Sequence, residues 1–86
     1  MSVEDKKLAR LIRRELGRNQ YLDFSEVVIT VARFVGHIGG VIRPMMGLTI
    51  ANPKEELKSL RDLAMRTPGI RDIVIEARID TSAKRG

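Results

Sequence analysis

The side chains best suited to chemistry in this sequence are its cations. Sixteen Lys and Arg stand against eleven Asp and Glu, which gives a formal net charge of +5 and a pI near 10.2. Such an excess favours contact with phosphates, on nucleic acid or on lipid headgroups. The residues predicted to bind an anionic headgroup or phosphate are Lys6, Arg10, Arg13, Arg14, Arg33 and Arg43.

A glycine-rich segment, Gly36 to Gly40, supports two interpretations. Because only glycine takes positive φ without a steric penalty, the segment is predicted to be the turn of a β-hairpin. With its neighbours it also fits the I-G-x-x-G-x-x-I signature of KH RNA-binding domains, whose loop joins two helices and clamps the nucleotide backbone. In that alternative Arg33 and Arg43 flank the RNA site. Pro44 favours the hairpin, because it falls where a KH helix would already be under way.

Catalysis is not expected from this sequence. His37 is the single histidine and there is no cysteine, so a nucleophile with a base, or a thiolate metal site, cannot be assembled. His37 is expected to be solvated in the predicted turn. The acidic pairs at positions 4–5 and 55–56 fall at helix starts, where the helix dipole accounts for them. The sequence therefore predicts a protein that is not an enzyme and that needs no cofactor or metal.

Two segments carry the markers of amphipathic helices. Ser2 followed by Asp5 predicts an N-cap with a reciprocal partner, and Gly17 is expected to end that helix. Asn52 before Pro53 predicts the second start. The apolar faces are predicted to consist of Leu8, Leu11, Ile12 and Leu16 in the first helix and of Leu57, Leu60, Leu63 and Ala64 in the second.

Three extended runs are predicted to be strands. Residues 27–35 are rich in β-branched side chains, residues 41–46 resume an apolar run after the glycines, and residues 70–79 alternate apolar with polar. The alternation predicts one buried and one wet face for the last strand. The glycines predicted to serve in turns are Gly36, Gly39, Gly40, Gly47 and Gly69.

This order predicts an α+β fold, a two-layer αββαβ sandwich with a three-stranded mixed sheet and both helices on one face. The third strand can lie parallel to the second or pair with the first. Residues 1–80 are predicted to form a single domain, and residues 81–86 a flexible C-terminal tail.

The same element order resembles the BON domain, a small αββαβ module, over nearly the whole chain. The resemblance lies in Val28-Ile29-Thr30-Val31, in Gly40 leading into Val41-Ile42-Arg43-Pro44-Met45-Met46-Gly47, and in Pro68-Gly69-Ile70-Arg71-Asp72-Ile73-Val74. It implies a module that binds phospholipid membranes, found mostly in bacterial envelope proteins, with no catalytic activity.

The expected function is therefore association with an anionic phospholipid surface or with cell-envelope partners. Two alternatives stay open: RNA binding through the glycine segment, and a structural or oligomerising role, including a homodimer through an edge strand. No apolar run approaches the ~20 residues that span a bilayer, and the first residues lack the apolar stretch of a signal peptide. The compartment is left open by the residues, while the BON resemblance suggests the periplasm or cell envelope.

Overall fold

The computed structural model describes residues 2–45 and 48–80, and in this part of the chain two helices alternate with two groups of strands. Gly47 and the tail predicted for residues 81–86 lie outside the described residues. The helices are α1 (Val3–Leu16) and α2 (Pro53–Ala64), and the strands are β1 (Leu22–Asp23), β2 (Val27–Ala32), β3 (Val35–Pro44), β4 (Asp72–Ile75) and β5 (Arg78–Ile79).

Both helices begin at the caps that the sequence predicts. The Asp5 backbone N–H donates to the Ser2 hydroxyl (3.0 Å), and the Ser2 N–H donates back to the Asp5 carboxylate (3.3 Å). At α2 the Glu55 N–H donates to the Asn52 side-chain oxygen (3.2 Å). Each cap satisfies an amide that the helix itself leaves without a partner. Gly17 caps the end of α1, as expected.

The sheet is built around β3, which has neighbours on both sides. β2 and β1 pair with it antiparallel on one side, and β4 and β5 pair with it parallel on the other. The predicted third strand is thus parallel to the central one, which resolves the two alternatives. It is divided into β4 and β5 because the amides of Glu76 and Ala77 both donate to the Ile38 carbonyl (2.8 and 2.9 Å). The sheet is mixed, as predicted, but it has five strands rather than three.

Both helices cover the same face of this sheet, so the predicted two-layer α+β fold is confirmed. The core lies between the layers and consists almost entirely of aliphatic side chains, which suits a chain with three aromatic residues. In the last two strands the predicted alternation holds, with the apolar set facing the helices. The fully buried members of the core are Ile12, Leu16, Leu22, Val31, Ile38, Ile42, Leu60 and Ile73.

The position of the hairpin turn differs from the prediction. The turn is at Arg33 and Phe34, both with positive φ (53° and 65°), and the flanking pair is Ala32 with Val35. The predicted turn glycines Gly36, Gly39 and Gly40 lie inside β3 instead. The two predicted strands are present as β2 and β3, with their boundary nearer the N-terminus than predicted, and the short strand β1, which was not predicted, precedes them. Gly69 does lie in a turn, with φ of 91°.

The glycines of β3 serve close approach rather than chain reversal. A Cβ on Gly36 would lie 2.7 Å from Ile12 Cδ1 and 2.8 Å from Ile73 Cδ1. Gly36 therefore lets α1 sit directly on the central strand. Gly40 takes φ of 93°, and a Cβ there would lie 2.2 Å from the Glu26 carbonyl oxygen. Both positions need glycine for reasons that involve residues distant in sequence.

In residues 2–45 and 48–80, no helix covers the other face of the sheet. Side chains alternate across a strand, so residues that pair with Gly39 and His37 point away from the helices. A Cβ on Gly39 would meet nothing within 4 Å, and Val28, which pairs with Gly39, is 61% exposed. We call this side the open face.

Candidate anion-binding surface

The exposed half of α1 carries a continuous set of cations. Leu8, Ile12 and Leu16 turn one side of the helix into the core. Residues three and four apart share a helix face, and the side opposite the core is occupied by exposed cations. We call this set the basic face of α1; it consists of Lys6, Lys7, Arg10, Arg13 and Arg14.

Of the three acids in α1, two have partners of their own, and the third, Glu4, lies beside Lys7 but forms no ion pair in the described residues. Asp5 is engaged in the N-cap of α1, and Glu15 pairs with Arg18 (3.0 Å). In residues 2–45 and 48–80 the other Arg–carboxylate ion pairs belong to Arg43 and Arg61. The cations of the basic face thus have no carboxylate at contact distance, and their charge is presented to solvent.

Arg13 also forms hydrogen bonds to the backbone of the sheet edge. Its guanidinium donates to the carbonyl oxygens of Phe24 (3.1 Å) and Val27 (2.6 Å). These carbonyls lie at the outer edge of the sheet, where β2 has no neighbouring strand. Arg13 is therefore anchored at the edge, and fewer of its N–H groups remain for an external anion than at Arg10 or Arg14.

Arg61 of α2 does the same at the opposite edge. It donates to the Ile73 carbonyl oxygen (2.9 Å) and to the Asp72 carboxylate. The Asp72 carboxylate also accepts from the Ile73 amide (2.8 Å), and these bonds, the amide first, lower the pKa of Asp72. Each helix thus supplies one arginine that occupies carbonyls at a sheet edge, which discourages pairing with another strand.

Arg43 does not join the basic face, although the sequence grouped it with α1. It follows the buried Ile42 in β3, so its side chain is on the open face, across the sheet from the helices. Its guanidinium lies between Glu26 (2.9 Å) and Asp80 (2.6 Å). The Glu26 hydrogen bond and charge raise the pKa of Arg43. With two carboxylates in contact, Arg43 is committed to an internal network.

The hairpin turn brings Arg33 and an aromatic ring to one end of α1. Phe34 is 45% exposed. It lines a surface depression of about 320 Å³ together with Glu4, Lys7, Leu8, Leu11, Pro68 and Gly69. Lys7 therefore belongs both to the basic face and to this depression. We call Arg33 and Phe34 the hairpin tip.

The sequence missed two members of this surface. Lys7 was left out of the predicted binding set, although its spacing from Arg10 and Arg14 places it on the same helix face. Phe34 was placed inside a strand, and no turn motif of the usual kind marks it. Helical spacing alone was enough to find the first; the second depends on strand register.

The glycine segment does not have the geometry that a KH site needs. A KH loop joins two helices, whereas residues 36–40 are extended and pair with β2 on one side, and residues 41–44 continue as strand. This correction removes the structural basis of the RNA alternative at Gly36–Gly40.

His37 lies in β3 on the open face rather than in a turn. Its Nδ1 is 3.8 Å from the Glu76 carboxylate, and both side chains are substantially exposed. Elsewhere in the described residues, too, no cluster of three or more His, Asp or Glu side chains is arranged to hold a metal ion.

The described helices and the comparisons with known proteins add two findings. Neither α1 nor α2 is long and apolar enough to cross a membrane. No family model matches the sequence, and no curated protein matches it.

Proposed function

We propose that this protein is a non-catalytic module that binds anionic phospholipid surfaces through the basic face of α1. The observation that supports it is the set of exposed cations on one helix side, none of them neutralised by a neighbouring carboxylate. A rigid helix presents these charges in one plane, which suits an extended anionic surface better than a single small anion.

The expected strength follows from the number of free cations. A Lys or Arg close to an anionic membrane contributes about 1 kcal/mol. Counting Lys6, Lys7, Arg10 and Arg14, and leaving Arg13 aside because its guanidinium is engaged, gives about 4 kcal/mol. That corresponds to roughly a thousandfold preference for anionic over neutral vesicles at low salt. Binding of this kind is reversible and is screened by salt.

The resemblance to the BON domain supports the same proposal from another direction. The fold has the order αβββαββ, which reduces to the αββαβ order of that module when β1 is counted with β2 and β4 with β5. On this reading the partner membrane is that of the cell envelope. The edge-strand homodimer is less favoured, because Arg13 and Arg61 occupy carbonyls on the two outer edges.

The test is co-sedimentation with vesicles of phosphatidylcholine, alone or mixed with phosphatidylserine. The chain offers a matched control, because α2 and the turn that follows it carry exposed cations that form no ion pair in the described residues. The variants are Lys6→Glu/Arg10→Glu/Arg14→Glu on α1, and Lys54→Glu/Lys58→Glu/Arg66→Glu, which changes the net charge equally.

We expect the parent and the α2 variant to pellet with anionic vesicles at low salt, and the α1 variant to lose at least tenfold in affinity. Neutral vesicles should pellet none of them. Equal binding of the parent to neutral and anionic vesicles, or equal losses in the two variants, would reject the proposal. A parent that ignores vesicles but retains single-stranded RNA on a filter would show a nucleic-acid partner instead.

A further inference from the structure

The hairpin tip has the wrong residues for a turn optimised for stability. Arg33 and Phe34 are both in the left-handed region, as a two-residue type I′ turn requires. That turn is strongly preferred by Asn-Gly, because bulky side chains at positive φ are strained. The turn alone would be served better by Asn and Gly. A large aromatic ring beside a cation at these positions therefore has a reason other than turn preference.

The surroundings of Phe34 indicate that reason. Its ring borders a depression whose other apolar walls are Leu8, Leu11 and Pro68, next to the half of the molecule that carries the basic face. Arg71 is tied to the same place, since its amide donates to the Phe34 carbonyl (2.7 Å). Two charged residues, Lys7 and Glu4, line the depression with the ring, and Arg33 is the next residue in the chain.

We infer that the hairpin tip enters the headgroup and acyl-chain boundary of an anionic bilayer while the basic face of α1 lies on its surface. This inference rests on the proposed function and specifies its partner as a lipid bilayer rather than another polyanion. The charge complementarity is direct: cations flank an exposed aromatic ring, the arrangement that interfacial membrane contacts use. A polyanion with neither acyl chains nor aromatic bases would contact the cations and leave the ring without a partner.

The first experiment uses tryptophan as a depth reporter. The chain has no Trp, so Phe34→Trp carries a single emitter at the tip. Tyr21→Trp is the matched control, because Tyr21 is 66% exposed and precedes β1, which pairs with the far end of β3 from the hairpin. With phosphatidylserine-containing vesicles we expect a blue shift and quenching by brominated acyl chains for Phe34→Trp, and neither for Tyr21→Trp.

The second experiment replaces the tip with the residues that the turn prefers, Arg33→Asn/Phe34→Gly. The thermal midpoint should rise, because strain is removed, so a loss of binding cannot be ascribed to unfolding. Affinity for anionic vesicles should fall about a hundredfold, because one large apolar side chain and one cation no longer contact the bilayer. Binding of polyphosphate, which offers charge but no apolar or aromatic contact, should fall by less than about tenfold, the share of the lost Arg33 cation.

The outcomes separate the two claims. If the parent fails to bind anionic vesicles, the proposed function falls and tip insertion falls with it. If the parent binds, but the Trp at position 34 shows no shift and the Asn-Gly variant binds as well as the parent, tip insertion alone is overturned.

Discussion

Replacing Gly36 with alanine tests the placement of the glycine segment in β3. A Cβ there would lie 2.7 Å from Ile12 Cδ1 and 2.8 Å from Ile73 Cδ1. Both isoleucines are fully buried, so neither can move without disturbing its neighbours. Overpacking of this kind costs about 1–3 kcal/mol. Removing a strand glycine offsets about 0.5–1 kcal/mol of that, and Gly36→Ala should lower the free energy of unfolding by about 1–2 kcal/mol.

The matched control is Gly39→Ala. Position 39 is also in β3, but a Cβ there meets nothing within 4 Å. Alanine should therefore stabilise the protein by about 0.5 kcal/mol. If positions 36–39 were instead a loop that binds ligand, the two replacements would show no such contrast in stability.

Ile12→Val supplies the complementary test, because it removes the methyl group that a Cβ at position 36 would strike. On its own it should cost about 1 kcal/mol. In its presence Gly36→Ala should cost about 1 kcal/mol less than in the parent, a coupling expected of residues in direct contact. Urea unfolding followed by far-ultraviolet circular dichroism measures the free energy of unfolding of the parent, the two single variants and the double variant. The reasoning is refuted if Gly36→Ala is neutral or if Ile12→Val leaves its cost unchanged.

Three further predictions concern the caps and the sheet edges. Asn52→Ala should lower the free energy of unfolding by about 1 kcal/mol, since the α2 cap is lost; an unchanged urea midpoint would contradict it. Arg13→Ala removes the hydrogen bond to the Val27 carbonyl at the sheet edge and should increase self-association, measured by light scattering at several concentrations. The control Arg14→Ala removes a cation without exposing an edge carbonyl and should not increase it. Equal scattering by the two variants would contradict protection of the edge by Arg13. The lowered pKa of Asp72 means that its stabilisation is present above its usual value of 3.8 and is lost as the pH falls through the lower folded value. Asp72→Asn should therefore show a smaller loss of thermal midpoint between about pH 5 and about pH 2 than the parent, and identical pH profiles would argue against it.

Local sequence rules were sufficient for the helices and the last strand. Ser2 and Asn52 cap the helices as predicted because a cap acts within one turn of chain. The alternation over residues 70–79 also predicted which side of the last strand is buried. Apolar residues at every second position all lie on one face of a strand, and that face must be the one that the helices cover. The basic residues of α1 were found for a similar reason, as helical spacing determines which side chains share a face.

The hairpin turn could not be found in the same way. Glycine occurs both where the chain reverses direction and where another element packs closely against the backbone, and residues 36–40 contain three glycines. Their real role depends on Ile12, Ile73 and Glu26, which approach only after the layers have packed. Arg33-Phe34, in contrast, has no turn preference that a local rule would detect. The contact of Arg13 with the carbonyls of Phe24 and Val27 likewise joins residues more than ten positions apart.

Under the proposed function, the open face offers positions for labels that report the orientation of the protein on a membrane. It lies on the opposite side of the sheet from α1, so a molecule resting on the basic face turns Val28 and Gly39 toward the bulk water. A fluorophore or crosslinker attached at either position should report orientation without touching the lipid. Because Val28 and Gly39 belong to the rigid pairing of β2 with β3, the distance from such a label to the bilayer would distinguish a docked domain from a tumbling one.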